Sequence, residues 1–266
     1  MVVIIMFDFP VEEHIYLRTE NDGDLKLYIF NPLNKDEAKS VILFFHGAGF
    51  STNKVKPNQF QYQAAYFSSL GQVSICVEYR PRDREGLFSP IESIKHAKSA
   101  IRWVRAHSSR LGINPAKVVV AGASAGGYLS LCCAMIEQMN SQTDDTSISC
   151  IPNALVIFNG GVDADPLIEL FPENKDELVD ASPIHHVRRG LPPGLLFHGT
   201  HDANIPHETV RRFVDKVKQY GNDFKLVSFE GKGHGFFNYG NDENKPYRRT
   251  LEEMEDFLRK YDFLEK

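Results

Sequence analysis

The chain has 266 residues, of which 42% are hydrophobic and 24% charged, and a formal net charge of -5 at pH 7. That length and apolar content support one large buried core and exclude a disordered chain. The slight acidic excess offers no basic footprint, which excludes nucleic acid as the expected partner, and a single domain over residues 1–266 is the expected organisation.

The opening MVVIIMFDFP is apolar but short, has no basic n-region or small-residue cleavage site, and soon meets acidic residues. It reads poorly as a signal peptide. No run reaches the ~20 apolar residues of a membrane span, so the default expectation is a cytoplasmic protein, with a periplasmic or secreted one as the alternative if a targeting segment has been trimmed. From His14 to Asn31 the pattern predicts an antiparallel hairpin, IYLRTE and LKLYIF flanking a turn at Asn21-Asp22-Gly23-Asp24. The rhythm then changes. SVILFFHG, QVSICVEYR, KVVVAG, NALVIFNG, GLLFHG and FKLVSFEG are short β-rich runs separated by segments long enough for helices. Strands alternating with helices predict an α/β fold: a mostly parallel sheet with helices on both faces.

Helices are predicted over Gln59 to Leu70, Ile91 to Leu111 and Pro206 to Tyr220, each closed by a glycine: Gly71, Gly112 and Gly221. Trp103 falls in an apolar stripe with Ile94, Ala100 and Val104 and reads as a core residue. Asn140 to Pro152 and Gly160 to Pro193 are the least regular stretches and read as long loops or small insertions. Four cysteines, Cys76, Cys132, Cys133 and Cys150, lack CxxC spacing, which argues against a zinc site or a disulfide framework. No metal and no cofactor is expected. Charge pairs such as Arg188-Arg189, Arg211-Arg212 and Glu252-Glu253 read as solvated faces.

Between a strand-like and a helix-like run, Gly122, Ala123, Ala125, Gly126 and Gly127 crowd one serine, Ser124. Small residues there permit a sharp turn that holds a serine exposed above a sheet edge. In a parallel sheet, ligands bind beyond the carboxyl ends of the strands. Four such ends carry chemistry: His46-Gly47-Ala48-Gly49-Phe50, Ser124, His201-Asp202 and His234-Gly235-Phe236. A serine hydroxyl needs a base, and the base needs a carboxylate to fix its tautomer. Ser124, Asp202 and His234 supply all three in chain order as catalytic candidates. Backbone amides of the small-residue loop HGAGF and the amide of Ala125 are the candidate oxyanion-hole donors. Asp163, in NGGVDADP, is the rival acid, and His198 reads as a structural histidine. Adjacent His185 and His186 lack supporting ligand spacing for a metal.

These motifs, from VILFFHGAGF through AIRWVRAHSSRLGINPAKVVVAGASAGG and LLFHGTHDANIP to FEGKGHGFFN, identify the chain as resembling the α/β-hydrolase superfamily. Within it the resemblance is to the acetyl esterase/lipase branch of hormone-sensitive-lipase-like and feruloyl-esterase-like serine esterases. It implies an α/β-hydrolase fold with a minimal cap and a serine carboxylesterase for short acyl groups, acting on a small-molecule or carbohydrate ester such as an acetylated sugar. Relatives usually carry HGGG, with the second and third glycine amides in the oxyanion hole, so the resemblance implies that role for Ala48 and Gly49, with Ala48 departing from glycine, and a loop-anchoring role for His46. An amide hydrolase or peptidase, an arylformamidase-like enzyme and a non-catalytic binding protein are the alternatives on the same fold. A homodimer is compatible with the sequence.

Overall fold

The computed structural model describes residues 6–18, 23–33, 39–47, 56–80 and 90–265. Its described strands are β1 (Glu12–Leu17), β2 (Leu25–Phe30), β3 (Lys39–Phe45), β4 (Val73–Val77), β5 (Ile113–Ala123), β6 (Ala154–Phe158), β7 (Gly194–Gly199) and β8 (Phe224–Phe229). They form one sheet in the order β1-β2-β4-β3-β5-β6-β7-β8. β1 pairs antiparallel with β2, and β2 antiparallel with β4. From β4 to β8 every pairing is parallel. The expected antiparallel hairpin on a parallel sheet is therefore present, although β1 starts at Glu12, earlier than the sequence pattern placed it. Of the turn residues, Asn21 and Asp22 lie outside the described residues, and Gly23 takes φ +73°.

The helices are α1 (Gln61–Ser69), α2 (Pro90–Ala106), α3 (Ser108–Leu111), α4 (Ala125–Met135), α5 (Asp165–Leu170), α6 (Lys175–Asp180), α7 (His207–Gln219) and α8 (Lys245–Lys260). Gly71, Gly112 and Gly221 follow α1, α3 and α7 with φ between +63° and +93°, the left-handed values that favour glycine after a helix. Two expected helices differ in detail. The first begins as a 3-10 turn at Pro57–Phe60. The second breaks at His107, whose ring stacks on Trp103 at 4.0 Å and whose Nδ1–H donates to the Trp103 carbonyl. Trp103 is consequently half-buried at the core's margin rather than inside it.

Neighbouring residues of the central strands point to opposite faces, and both faces are buried, which explains their near-continuous apolar runs. On one face Leu43, Val120, Ile157 and Leu196 pack with Ile94 and Ile101 of α2, Leu129 of α4 and Phe213 of α7. On the other, Phe44, Val119, Phe158 and Phe197 pack with Phe67 of α1 and with Leu251, Met254 and Leu258 of α8. Truncating a fully buried anchor such as Met254 to alanine costs about 2–5 kcal/mol.

The irregular stretches are tied down. The loop over 140–152 is clamped to α2 by a buried ion pair, Arg102 to Asp144 at 2.6 Å, and by Arg105 donating to the Ile151 carbonyl. Residues 160–193 hold α5, α6 and a 3-10 turn at Pro183–His186, with Leu167, Leu178, Ala181, Val187 and Leu191 buried in the core cluster beside α4. All four cysteines are free and buried. Among the described residues no helix is long and apolar enough to cross a membrane, and no group of three metal-ligating side chains occurs.

Candidate active site

β5 delivers Ser124 to the carboxyl edge of the sheet. Its amide donates to the Phe158 carbonyl of β6 at 2.9 Å, and its own carbonyl accepts the Tyr128 amide, the first turn of α4. Between strand and helix Ser124 holds φ 51° and ψ -115°. A non-glycine residue in that region stores about 1–3 kcal/mol of strain. The crowd of small residues has a steric reason. A Cβ on Gly122 would lie 2.2 Å from the Gly126 carbonyl oxygen, and one on Gly126 would lie 2.1 Å from the Phe45 carbonyl oxygen. Strand, turn and helix thus touch backbone to backbone, and a side chain at either glycine would push the turn off the sheet.

Ala125 is the first residue of α4, so its amide has no intrahelical carbonyl to bond. It points from the positive end of the helix, where negative charge is favoured. Ala48 and Gly49 lie outside the described residues. Gly47, just before them, is beside the serine: a Cβ there would be 3.4 Å from the Ser124 Cβ. Gln59 braces this loop, its Oε1 accepting the Gly47 amide at 2.7 Å while its Nε2 donates to Asn238 Oδ1 at 3.2 Å. Asn238 in turn donates to the Gly235 carbonyl, next to His234.

The turn after β7 buries the Asp202 carboxylate completely. Its Oδ1 accepts the amides of Asn204 and Ile205 at 2.9 and 3.0 Å, and its Oδ2 accepts His234 Nδ1–H at 2.8 Å. Burial pushes the carboxyl pKa up, but the hydrogen bonds from His234 and from the Ile205 and Asn204 amides outweigh it and hold the group below its ordinary value. His234 is partly exposed, and donating Nδ1–H to Asp202 leaves the ring's lone pair on Nε2. Asp202, rather than Asp163, is the carboxylate in contact with His234. Asp163 sits half-buried near Asp165 and His185, and burial raises its pKa.

His46 and His198 are engaged in buried structural contacts. His46 is buried, stacked on Tyr79 at 4.4 Å, and burial lowers its pKa to about 4. His198 is buried and donates from Nε2 to the Ile205 carbonyl at 2.8 Å. Sequence reasoning passed over Asn159, the residue directly after β6, whose amide nitrogen lies 2.8 Å from Nδ1 and 2.9 Å from Nε2 of His234. Its place at a strand's carboxyl end was the available signal. Gln59 left no such signal, since only tertiary contact reveals it.

A strained serine at a strand-to-helix turn, a carboxylate-bound histidine and a helix-start amide are the parts of an acyl-transfer site. A family model described as BD-FAE matches residues 27–163, a little over half of the chain. The chain belongs to this family. The BD-FAE family is an esterase/lipase group of α/β-hydrolase fold. This BD-FAE chain is 25% identical over 240 residues to the probable isoprenylcysteine alpha-carbonyl methylesterase ICMEL1 of Arabidopsis thaliana, covering 79% of this chain and 48% of that protein. It is 28% identical over 200 residues to the probable carboxylic ester hydrolase LipM of Mycobacterium tuberculosis, covering 67% and 45%. The chain spans about half the length of these curated relatives. The structure of Thermogutta terrifontis esterase 2 phosphoramylated by tabun superposes with a TM-score of 0.90 at 38% identity, covering 96% of both chains. The propionate-bound form of that esterase superposes with a TM-score of 0.88 at 38% identity and the same coverage.

Proposed function

We propose that the chain is a serine carboxylesterase for short-chain acyl esters, with Ser124 as nucleophile, His234 as base and Asp202 as the orienting carboxylate. The observation that carries this reading is the pairing of a strained Ser124 with the Asp202–His234 bond of 2.8 Å at the same sheet edge. Ser124 Oγ attacks the acyl carbonyl while its proton passes to His234 Nε2. The oxyanion so formed is held by the Ala125 amide, with the Ala48 and Gly49 amides as the further proposed donors. Collapse breaks the ester C–O bond, and the alcohol leaves with the proton from His234. Water then attacks the acyl-enzyme, gives its proton to His234, and releases the carboxylic acid as Ser124 recovers its hydrogen. The buried Asp202 carboxylate stabilises the imidazolium formed in each half.

The short acyl preference rests on how residues 160–193 are used. Leu167, Leu178 and Leu191 are buried in the core, Ile168, Phe171 and Ile184 pack partly buried against it, and Leu170 and Val179 are exposed, so few of the segment's apolar side chains are left to line a long acyl tunnel. The propionate found with the Thermogutta esterase agrees with a small acyl site. For the alcohol portion we carry forward acetylated carbohydrate.

Paraoxon labelling followed by peptide mass spectrometry, with initial rates on nitrophenyl acetate, butyrate and decanoate, tests the reading. Labelling at Ser124 with a kcat/KM optimum at acetate or butyrate supports it. Wild-type turnover by Ser124→Ala overturns the nucleophile, and an optimum at decanoate overturns the short acyl site. Acetate release from acetylated xylan or acetylated monosaccharides decides the alcohol class.

A further inference from the structure

β3 ends at Phe45, and the backbone groups that follow are each held by a side chain. The His46 carbonyl accepts the Tyr79 hydroxyl at 2.7 Å, the Gly47 amide donates to Gln59 Oε1 at 2.7 Å, and the Gly47 carbonyl accepts His46 Nδ1–H at 3.0 Å. Tyr79 and His46 are buried and stacked on each other. Gln59 is half-buried and reaches on to another segment. Its Nε2 donates to Asn238 Oδ1 at 3.2 Å, and Asn238 Nδ2 donates to the carbonyl of Gly235, the residue after His234, at 3.0 Å.

The direction of this chain of hydrogen bonds is fixed from both ends. Oxygen and nitrogen of a carboxamide are told apart by their partners. Here the Gly47 amide can only donate and the Gly235 carbonyl can only accept. Gln59 therefore presents oxygen to Gly47 and nitrogen to Asn238, and Asn238 presents oxygen to Gln59 and nitrogen to Gly235. Hydrogen bonds in such a head-to-tail series polarise and strengthen one another. Gly235 suits its end of the chain, since it takes φ +78° and a Cβ there would come 3.0 Å from Asn238 Nδ2. Its carbonyl also accepts the Asn238 amide at 3.2 Å and Asn241 Nδ2 at 2.9 Å. The other end reaches the nucleophile, because a Cβ on Gly47 would lie 3.4 Å from the Ser124 Cβ. Packing joins the same two segments, Phe60 stacking on Phe237 at 5.6 Å and Tyr62 on Tyr239 at 3.8 Å. Those rings keep the segments adjacent without the carboxamides, so what the hydrogen bonds add is register.

We infer that Gln59 is a positioning residue for acyl transfer, its carboxamide joining Gly47, beside Ser124, through Asn238 to the loop that carries His234. The nucleophile's side of the site and its base are thereby held at one spacing while the proton moves between them. This rests on the catalytic reading above.

The test is a double-mutant cycle on kcat and KM for nitrophenyl acetate, measured on the alkaline plateau of the pH profile, over the wild type, Gln59→Met, Asn238→Ala and the double variant. Methionine matches the length of glutamine and has neither the acceptor for Gly47 nor the donor for Asn238. Gln59→Met lowers kcat about tenfold while KM changes less than about twofold, as a misplacement felt in the transition state does. Asn238→Ala lowers kcat about fivefold in the same way. Adding it to Gln59→Met costs less than about twofold more, because both substitutions break one chain. A kcat within about twofold of wild type in either single variant, a loss confined to KM, or losses that multiply in the double variant refutes the inference, the last result meaning that the two amides act separately. Should Gln59→Met not fold, Asn238→Ala decides alone, since it leaves the Gly47 bond in place and removes its link to the histidine loop. Failure of the catalytic reading shows separately, as turnover that survives Ser124→Ala.

Discussion

His46 couples folding to pH, and the size of the effect follows from its surroundings. The ring is 3% exposed, stacks on Tyr79 and donates from Nδ1 to the Gly47 carbonyl at 3.0 Å. Burial lowers its pKa to about 4, the Gly47 bond opposing only in part. In the unfolded chain the same ring binds a proton below its ordinary pKa of about 6.5. Between those values the unfolded state holds one more proton than the folded state, so stability rises with pH across that window and is lost as pH falls through it. From pH 7 to pH 5 the linked loss is about 2 kcal/mol. His46→Gln keeps a polar side chain of similar length and removes the titration. Urea unfolding of both proteins at pH 5, 6 and 7 reads the difference directly, because His198, also lowered by burial, is common to both and cancels. The variant is less stable at pH 7, and its deficit narrows by about 2 kcal/mol at pH 5. A deficit that stays constant over this range refutes the buried neutral ring.

Gly126→Ala sets a Cβ 2.1 Å from one backbone oxygen and 2.5 Å from another, and is expected to cost about 3 kcal/mol or more. An unchanged melting temperature contradicts that close approach. Asp144→Ala strands Arg102, whose side chain is 8% exposed, and should lower stability by about 3–5 kcal/mol. Arg102→Met in the same background is expected to recover part of it in denaturant titrations, and no recovery counts against a desolvated charge as the cause. Asp202→Asn lowers kcat by roughly 10⁴ through the wrong histidine tautomer, whereas Asp163→Asn leaves kcat within about tenfold. The reverse ranking would reassign the acid.

The sheet was readable because buried parallel strands need continuous apolar runs, and VILFF, VVVAG and LVIF supply them. The serine turn was readable because only small residues fit where Gly122 and Gly126 meet neighbouring backbone. Tyr247, Leu251, Met254 and Leu258 carry a helical spacing that forecasts α8, yet they lie in a strongly charged stretch, and the segment escaped notice. The break at His107 depends on its ring finding Trp103, a contact no local propensity encodes. Asp202 and His234 were legible as strand-end residues in the right chain order. Asn159 shares that strand-end position, whereas Gln59 was not legible, because its amide gains its place only from what folding sets beside it.

The glycine seam also bears on how such a site can diverge. Gly127 and Gly160 extend it, since a Cβ on Gly127 would lie 2.8 Å from the Gly160 Cα. A hydroxyl carried on side-chain packing drifts whenever a neighbouring rotamer changes. One carried where peptide planes rest on each other has no rotamer to yield, and moves only if whole strands move. Loops that lie beyond this seam can then be exchanged without moving the Ser124 hydroxyl.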